Sequence, residues 1–445
     1  MMKNDTIAAI ATPPGTGGVA IVRVSGPDAA GVLCRAFRRA DRKTEWKSHE
    51  FVFGHIVRGE ETVDEGMAVL MRAPRSYTRE DVAELHCHGG ETVTRMTLEA
   101  ALAAGARPAE PGEFTRRAFE NGRVDLAQAE AVMRLIGAQG EAAARQARRQ
   151  MDGAVSRGVE KARQALLAML SEIAACTDFP DEIEEAPTAA KLLEEAKALS
   201  GALRAACDPR SARVLETGLN VVIAGRPNVG KSSLLNALLG EERAIVTSEA
   251  GTTRDTVRGA MELAGVRVNL TDTAGIRHAD SEAEKIGVRR AREAVESADL
   301  TLVVLDASGP LAPEDEETLA GTENVRRWIV LNKTDLPQAA GLPKADIVVS
   351  AQTGEGVDAL RERLGEEAKR AQGGGALLTQ ARHIDAAMRA ADALDAMRAT
   401  LESGMPLDFA NVDALEALRA LGEITGVDAA EDVVDAVFAN FCVGK

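Results

Sequence analysis

Residues 225–232 read GRPNVGKS. The apolar, β-branched run LNVVIA ends just before them, and the helix-forming text SSLLNALLG begins at their last residue. A strand that turns through glycines into a helix, with a lysine and a hydroxyl at the end of the turn, is a phosphate cradle. Glycines at 225 and 230 let main-chain N–H groups face phosphate oxygens, Lys231 brings charge to the β and γ positions, and the Ser232 hydroxyl can ligate Mg2+. Such a turn belongs at the end of a strand in a doubly wound α/β sheet.

That sheet is legible downstream. From Leu219 onward, strand-like runs (LNVVIAG, VRVNLTD, DLTLVVLDAS, RRWIVLN, DIVVSAQ) alternate with polar or helical text until the GGG of 373–375. DTAG (272–275) ends a strand, where Asp272 can hold the Mg2+ shell and the Gly275 N–H can reach a γ-phosphate. NKTD (332–335) ends another, and the Asp335 carboxylate suits the N1–H and 2-amino donors of guanine, a pair that adenine lacks. SAQ (350–352) fits the last base-contacting loop. The nucleotide contacts predicted are Asn228, Val229, Gly230, Lys231, Ser232, Ser233, Asp272, Thr273, Ala274, Gly275, Asn332, Lys333, Asp335, Ser350 and Ala351. Between the first helix and second strand, Thr247, Ser248, Glu249, Ala250, Gly251, Thr252 and Thr253 form a switch segment in which Thr252 or Thr253 closes over the metal. Ile276 follows DTAG where Ras-type domains carry a water-orienting glutamine, and its side chain makes no hydrogen bond. Two residues are candidates to replace that glutamine: Asn228, whose amide oxygen can ligate a monovalent cation, and Glu284 in DSEAEK.

A chain of 445 residues suggests roughly three domains. Over 6–81 short strands alternate with turn residues, whereas past Arg116 the text turns Ala-, Arg- and Glu-rich at helical spacing, breaks near TDFPDEIEEAP, and becomes helical again after the GGG. The last stretch, about 70 residues of helix, makes a poor core alone. The reading is therefore an N-terminal α/β domain (1–118), a helical domain in two parts (119–215 and 374–445), and a Ras-like P-loop domain (216–373) inserted into the helical one, a multidomain α/β plus all-α chain.

The formal net charge of −16 disfavours unspecific binding of nucleic acid, so any RNA contact needs a local patch such as the arginines of RQARRQ (145–150), which otherwise read as solvated helix surface. The five cysteines are scattered without a CxxC pair, and no run of about 18 apolar residues offers a membrane span, which points to a reducing cytoplasm. The start MMKNDTIAAIATPPG carries no signal-peptide core, so export is not expected. In ELHCHGG, His86 and His88 share one face of a strand with Cys87 opposite, and these read as packing or pocket residues rather than zinc ligands. Arg116, Arg117 and Arg123 read as the solvated basic edge of a helix.

Taken together, DTIAAIATPPGTGGVAIVRVSG (5–26), ELHCHGG (84–90), RPAEPGEFTRRAFENGRVDLAQAEAV (107–132), the GTPase motifs and the closing FCVGK resemble the MnmE (TrmE) family of bacterial tRNA-modification GTPases over nearly the whole chain. The resemblance implies an N-terminal domain that dimerises and binds a 5-formyl or 5,10-methylene tetrahydrofolate, with Arg23, Glu84, Arg123 and Lys445 at the matching positions. Arg123 stands where the family often has lysine, which keeps the charge and changes the donor geometry. It further implies K+ ligands at Asn228, Thr247, Glu249 and Thr252, Mg2+ ligands at Ser232 and Thr253, catalytic roles for Lys231 and Glu284, and pairing of G domains driven by K+. The implied reaction is GTP hydrolysis coupled to placing an aminomethyl-type group on C5 of the wobble uridine (U34) of tRNA, together with MnmG (GidA), a partner that carries FAD. Phe438 and Phe441 are expected to anchor the last helix, with Lys445 reaching the folate and Cys442 serving the tRNA chemistry. The alternative is a ribosome-assembly or regulatory GTPase that modifies nothing.

Overall fold

The computed structural model describes residues 5–243, 259–272, 289, 291–373 and 377–445. Two compact units are present, each drawn from separated stretches: Met1–Met133, Arg149–Lys197 and Asp392–Lys445 form one, Arg134–Arg148 and Ala198–Ala391 the other. Two α/β sheets and a layer of long helices make this a multidomain α/β plus all-α protein. No helix among the described residues is long and apolar enough to cross a membrane.

The first unit opens with seven strands, β1 (Ile7–Ile10), β2 (Val19–Ser25), β3 (Phe37–Arg39), β4 (Phe51–Arg58), β5 (Glu61–Met71), β6 (Val82–His88) and β7 (Arg107–Pro108). They form one sheet in the order β3-β4-β5-β6-β2-β1-β7, antiparallel apart from the β1–β7 pair. Alternation sends Val22, Val24, Ile56, Ala68, Leu70, Ala83, Leu85 and Cys87 into the core beneath the helices Ala29–Ala36 and Glu91–Ala103. On the opposite face the register sets Arg23 across from Glu84, Glu84 across from Val69, and Val69 across from Phe51. That face also carries Val19, Phe53 and Met67, and all of Val19, Phe51, Phe53 and Met67 are exposed.

The helical part of the unit rests on Ala154–Asp178 packed against Leu407–Thr425. Leu166, Met169 and Ile173 line one helix, and Ala410, Ala414, Ala417 and Leu421 the other; small residues at i, i+4, i+7 spacing let the backbones approach closely. Arg163 crosses the same interface, donating from Nη1 to the Leu418 carbonyl at 3.1 Å and to Asp428 at 3.0 Å.

Arg117 departs from the solvated role read for it. It lies on the helix Glu113–Glu120 and is buried. Its guanidinium donates to the Asp5 carbonyl at 2.9 Å, Asp5 Oδ1 at 2.7 Å and Glu113 Oε1 at 3.0 Å, with Glu80 at 3.2 Å. Arg107 closes the network from the other side by pairing with both Asp5 and Glu113. The Arg107 hydrogen bond is the largest influence on Asp5, and it holds that carboxyl below its ordinary range. Burial pushes Glu113 up, but its bonds from Arg107, the Glu110 N–H and Arg117 outweigh this and leave it lowered.

Among the described residues the second unit holds six strands, β8 (Leu219–Ala224), β9 (Gly259–Leu263), β10 (Val266–Asp272), β11 (Leu300–Asp306), β12 (Arg327–Asn332) and β13 (Ile347–Val348), in the order β13-β12-β11-β8-β10-β9. Only the β9–β10 pair is antiparallel. Both faces are covered, which is why β8 and β11 read as nearly unbroken apolar runs: Val221, Ile223, Leu302 and Val304 belong to one core, and Val303 and Leu305 to another on the far side.

Replacing Arg117 with Ala removes a buried cation from Asp5, Glu80 and the buried Glu113, leaving only Arg107 to pair with Asp5 and Glu113. Urea unfolding of the first unit should show a loss of about 3–5 kcal/mol. Arg117→Lys should recover little of it, because one ammonium cannot span the Asp5 and Glu113 oxygens that the guanidinium fork meets.

Candidate functional site

In the second unit β8 lies between β10 and β11, so the strand order reverses there and a crevice opens at the carboxyl ends of the strands. GRPNVGKS fills that crevice and leads into the helix Lys231–Arg243. Gly230 has φ 95°, and a Cβ there would stand 2.3 Å from Asn332 Nδ2, so the close passage of these two loops requires glycine. The buried Lys231 donates from Nζ to the carbonyls of Gly225 at 2.9 Å and Arg226 at 2.8 Å, folding its ammonium back over the loop. Ser232 Oγ donates to Asp272 Oδ2 at 2.7 Å, a pair of hard oxygens of the kind Mg2+ takes. Asn228 is exposed in the left-handed region at φ 67°, a conformation asparagine tolerates; Val229 is fully buried and Ser233 exposed.

Asn332 ties the loops together. Its Nδ2 donates to the Val229 carbonyl at 2.8 Å and its Oδ1 accepts the Ala351 N–H at 2.9 Å, so one amide joins the phosphate loop, NKTD and SAQ. Ser350 Oγ donates to Asp335 Oδ1 at 2.6 Å and accepts the Thr353 N–H at 3.2 Å, orienting a carboxylate that is otherwise open to solvent. Lys333, at φ 66°, donates to Asp306 Oδ2 at 2.6 Å. Burial pushes the Asp306 carboxyl up, and the bonds from Lys333 and Ser308 more than reverse it. Asp306 was not singled out from the sequence; its signal was its place at the end of the strand before NKTD. The predicted residues Thr247, Ser248, Glu249, Ala250, Gly251, Thr252, Thr253, Thr273, Ala274, Gly275 and Glu284 lie outside the described residues.

The first unit brings a second set together. Arg23 Nε donates to Glu84 Oε1 at 2.9 Å, and His86 Nε2 lies 3.3 Å from Glu84 Oε2. Burial raises the Glu84 carboxyl, but the His86 bond and Arg23 outweigh it, so it stays ionised below its ordinary range. Tyr77, the one tyrosine of the sequence, has the Arg23 guanidinium 5.3 Å and the Arg123 guanidinium 4.6 Å from its ring centroid. Tyr77 also escaped the sequence reading, where its rarity was the available signal.

The closing residues dock into this same unit. Phe438 and Phe441 are buried against Leu126 and Ala129, with Phe119 packed alongside. The N–H groups of Gly112 and Phe114 donate to the main-chain oxygens of Cys442 at 3.4 Å and Lys445 at 3.2 Å. A Cβ on Gly444 would meet the Ile10 carbonyl at 2.1 Å, and its φ is 95°, so glycine is required there too. Burial pushes the Lys445 amine down, and the neighbouring charge of Arg23 adds to this, while Glu84 and Cys442 act in the opposite direction. Lys445 is thus within electrostatic reach of both Arg23 and Glu84. Arg123 reaches the group through Tyr77, and the Cys442 side chain is exposed.

Two family models match: one described as the MnmE helical domain over residues 126–442, the other as the N-terminus of the GTP-binding protein TrmE over 6–123. Among curated proteins, the tRNA modification GTPase MnmE of Chloroflexus aurantiacus is 48% identical, covering 99% of this chain and 100% of the relative. That of Geobacter metallireducens is 44% identical over 100% of both. Among solved structures, Aquifex aeolicus Era bound to GDP and AlF4- aligns with 33% of this chain and 56% of its own, at 31% identity and a TM-score of 0.27.

Glu84 gives a pH signature. Its folded pKa lies below the ordinary 4.5, so its stabilising pairing is complete above that value and is lost as pH falls through the folded one. Glu84→Gln should cost about 1–3 kcal/mol at pH 7 in urea titrations. The gap from the unsubstituted protein should narrow steadily as pH is taken below 4.5.

Proposed function

Since the chain belongs to the MnmE family of tRNA modification GTPases, we propose that it hydrolyses GTP with Mg2+ and K+ and, as a homodimer acting with the FAD-carrying MnmG (GidA) protein, uses a tetrahydrofolate one-carbon unit to install an aminomethyl-type group at C5 of U34 in tRNA. The observation that carries the folate part is the docking of Lys445, from the far end of the sequence, at Phe114: its main-chain oxygen accepts the Phe114 N–H at 3.2 Å, and the Arg23 guanidinium that pairs with Glu84 lies 5.9 Å from the Phe114 ring centroid.

The residues fit such a ligand. A tetrahydropterin offers an amino group and a ring N–H side by side, and an ionised carboxylate such as Glu84, with lone pairs beyond those used by Arg23 and His86, accepts that pair. The glutamate end of a folate is anionic and matches Arg123 or Lys445. Tyr77 supplies an aromatic wall. When bound, the folate supplies the one-carbon unit. The Cys442 thiol, exposed three residues from Lys445, is the chain's own candidate group for the uridine chemistry. The apolar sheet face of Val19, Phe51, Phe53 and Met67 supports the homodimer, since its burial against a second copy would contribute roughly 1.5–3 kcal/mol per fully covered side chain.

At the nucleotide site, water attacks the γ-phosphorus, the bond to the β–γ bridging oxygen breaks, and GDP and phosphate leave. Lys231 offsets charge on the β and γ oxygens, Asp335 selects guanine, and Asn332 keeps the loops in register. Ser232 with Asp272 and Thr253 would hold Mg2+; Asn228, Thr247, Glu249 and Thr252 would hold K+; Glu284 would orient the water. When bound there, the two cations would supply positive charge to offset the negative charge that develops in the transition state.

Two measurements test this. Mass spectrometry of tRNA nucleosides should show C5-aminomethyl-type wobble uridines lost when the gene is removed. The intact gene should restore them, while neither a gene lacking the last five residues nor Cys442→Ser should; unchanged nucleosides would move the ribosome-assembly reading forward. GTP hydrolysis should be at least about tenfold faster in KCl than in NaCl, and Asn228→Ala should remove that difference, since about 1.4 kcal/mol of cation stabilisation accounts for it.

A further inference from the structure

Among the described residues, three arginines that converge on one concavity of the first unit meet no acid. Arg75, Arg79 and Arg123, with His49, Ser76 and Tyr77, line an open cleft of about 550 Å3. Arg79 Nη1 donates to the Asn121 carbonyl at 3.0 Å and Arg123 Nη1 to the Tyr77 carbonyl at 2.7 Å. Among the described residues none of the three guanidinium groups meets a carboxylate. The arginines around them behave otherwise: Arg23 pairs with Glu84, Arg72 with Asp81, and Arg107 and Arg117 with Asp5. Arg38 and Arg42 of the same unit also meet no carboxylate among the described residues, but only Arg75, Arg79 and Arg123 converge on this cleft. Three unmatched cations around one concavity are therefore a site for an anion with several separated charges.

The cleft adjoins the Arg23–Glu84 group. Tyr77 is the shared wall, with the guanidinium groups of Arg123 and Arg23 4.6 Å and 5.3 Å from its ring centroid. A ligand whose ring system lies at Glu84 and whose tail passes Arg123 would enter the cleft next.

We propose that the cleft binds the oligo-γ-glutamyl tail of the folate, an inference that rests on the folate reading above. Each γ-linked glutamate adds one α-carboxylate to a flexible chain, and each guanidinium fork can take one carboxylate through two parallel hydrogen bonds. A tail of a few carboxylates feels mainly the local positive field. A long polyphosphate such as tRNA also meets the repulsion of a protein with net charge −16, which disfavours it here.

Calorimetric titration of the full-length protein with 5-formyl-tetrahydrofolate as the monoglutamate and as the penta-γ-glutamate tests the proposal. The pentaglutamate should bind about tenfold more tightly at low salt, with the advantage shrinking as ionic strength rises. Arg75→Gln breaks no side-chain hydrogen bond of the fold and should reduce the ratio; Arg75→Gln with Arg79→Gln should bring it to about one. Because the readout is a ratio on one protein, a general loss of binding-competent molecules does not mimic it. Equal affinities in the unsubstituted protein would overturn the proposal and leave the folate reading standing, whereas failure of both folates to bind would overturn both. An unchanged ratio in the variants with weakened tRNA binding would overturn it and assign the cleft to RNA phosphates.

Discussion

The contact between Gly444 and the Ile10 carbonyl is the constraint on which the first unit turns. Any side chain at 444 would sit 2.1 Å from that oxygen, so the backbone approach depends on glycine's missing Cβ. Given the approach, the closing residues run beside Gly112 and Phe114, hydrogen-bonded to both, and Lys445 comes to Arg23 and Glu84 on the open face of the sheet. Phe438 and Phe441 hold the helix Glu431–Ala439 that delivers them. A site assembled from β2, β6 and the last residues of the sequence exists only when the whole unit is folded.

The second unit meets the same problem by a different route. A parallel sheet brings the carboxyl ends of β8, β10, β11 and β12 to one edge, so motifs far apart in sequence converge without long excursions of the chain. What the sheet leaves loose, Asn332 fixes: one buried side chain satisfies Val229 and Ala351, each from a different loop. Because the amide has both a donor and an acceptor in use, an apolar residue of similar size would leave two main-chain groups without partners.

How much of this was readable in advance follows from what each signal requires. The strand-turn-helix of GRPNVGKS and the strand-end positions of Asp272 and Asn332 depend on residues close in sequence, and local pattern sufficed, whereas Phe438 and Phe441 show themselves as anchors by their apolar bulk while the surface they meet, Leu126 and Ala129, is far away in the sequence. EFTRRAFE is polar at most positions, so nothing local reveals that Asp5 and Glu80, in the loops just before β1 and β6, close over Arg117. Tyr77 and Asp306 escaped for the same reason: their roles come from Arg23 and Arg123 in one case and Lys333 in the other, all distant in sequence. Family resemblance supplied Arg23, Glu84, Arg123 and Lys445, none of which periodicity could have selected.

The two groups of cations in the first unit play different energetic parts. Arg107 and Arg117 are neutralised by Asp5 and Glu113, so their burial is compensated within the fold and they stabilise it. Lys445 is partly buried beside another cation, and its lowered proton affinity records that the charged form is disfavoured there. Phe438 and Phe441, buried against Leu126 and Ala129, hold the segment that carries it. An anion entering the site therefore meets a charge already stripped of part of its water and fixed in place, and gains more from it than from a solvated lysine. The docked closing segment thus holds a partly desolvated cation where the proposed folate would present negative charge.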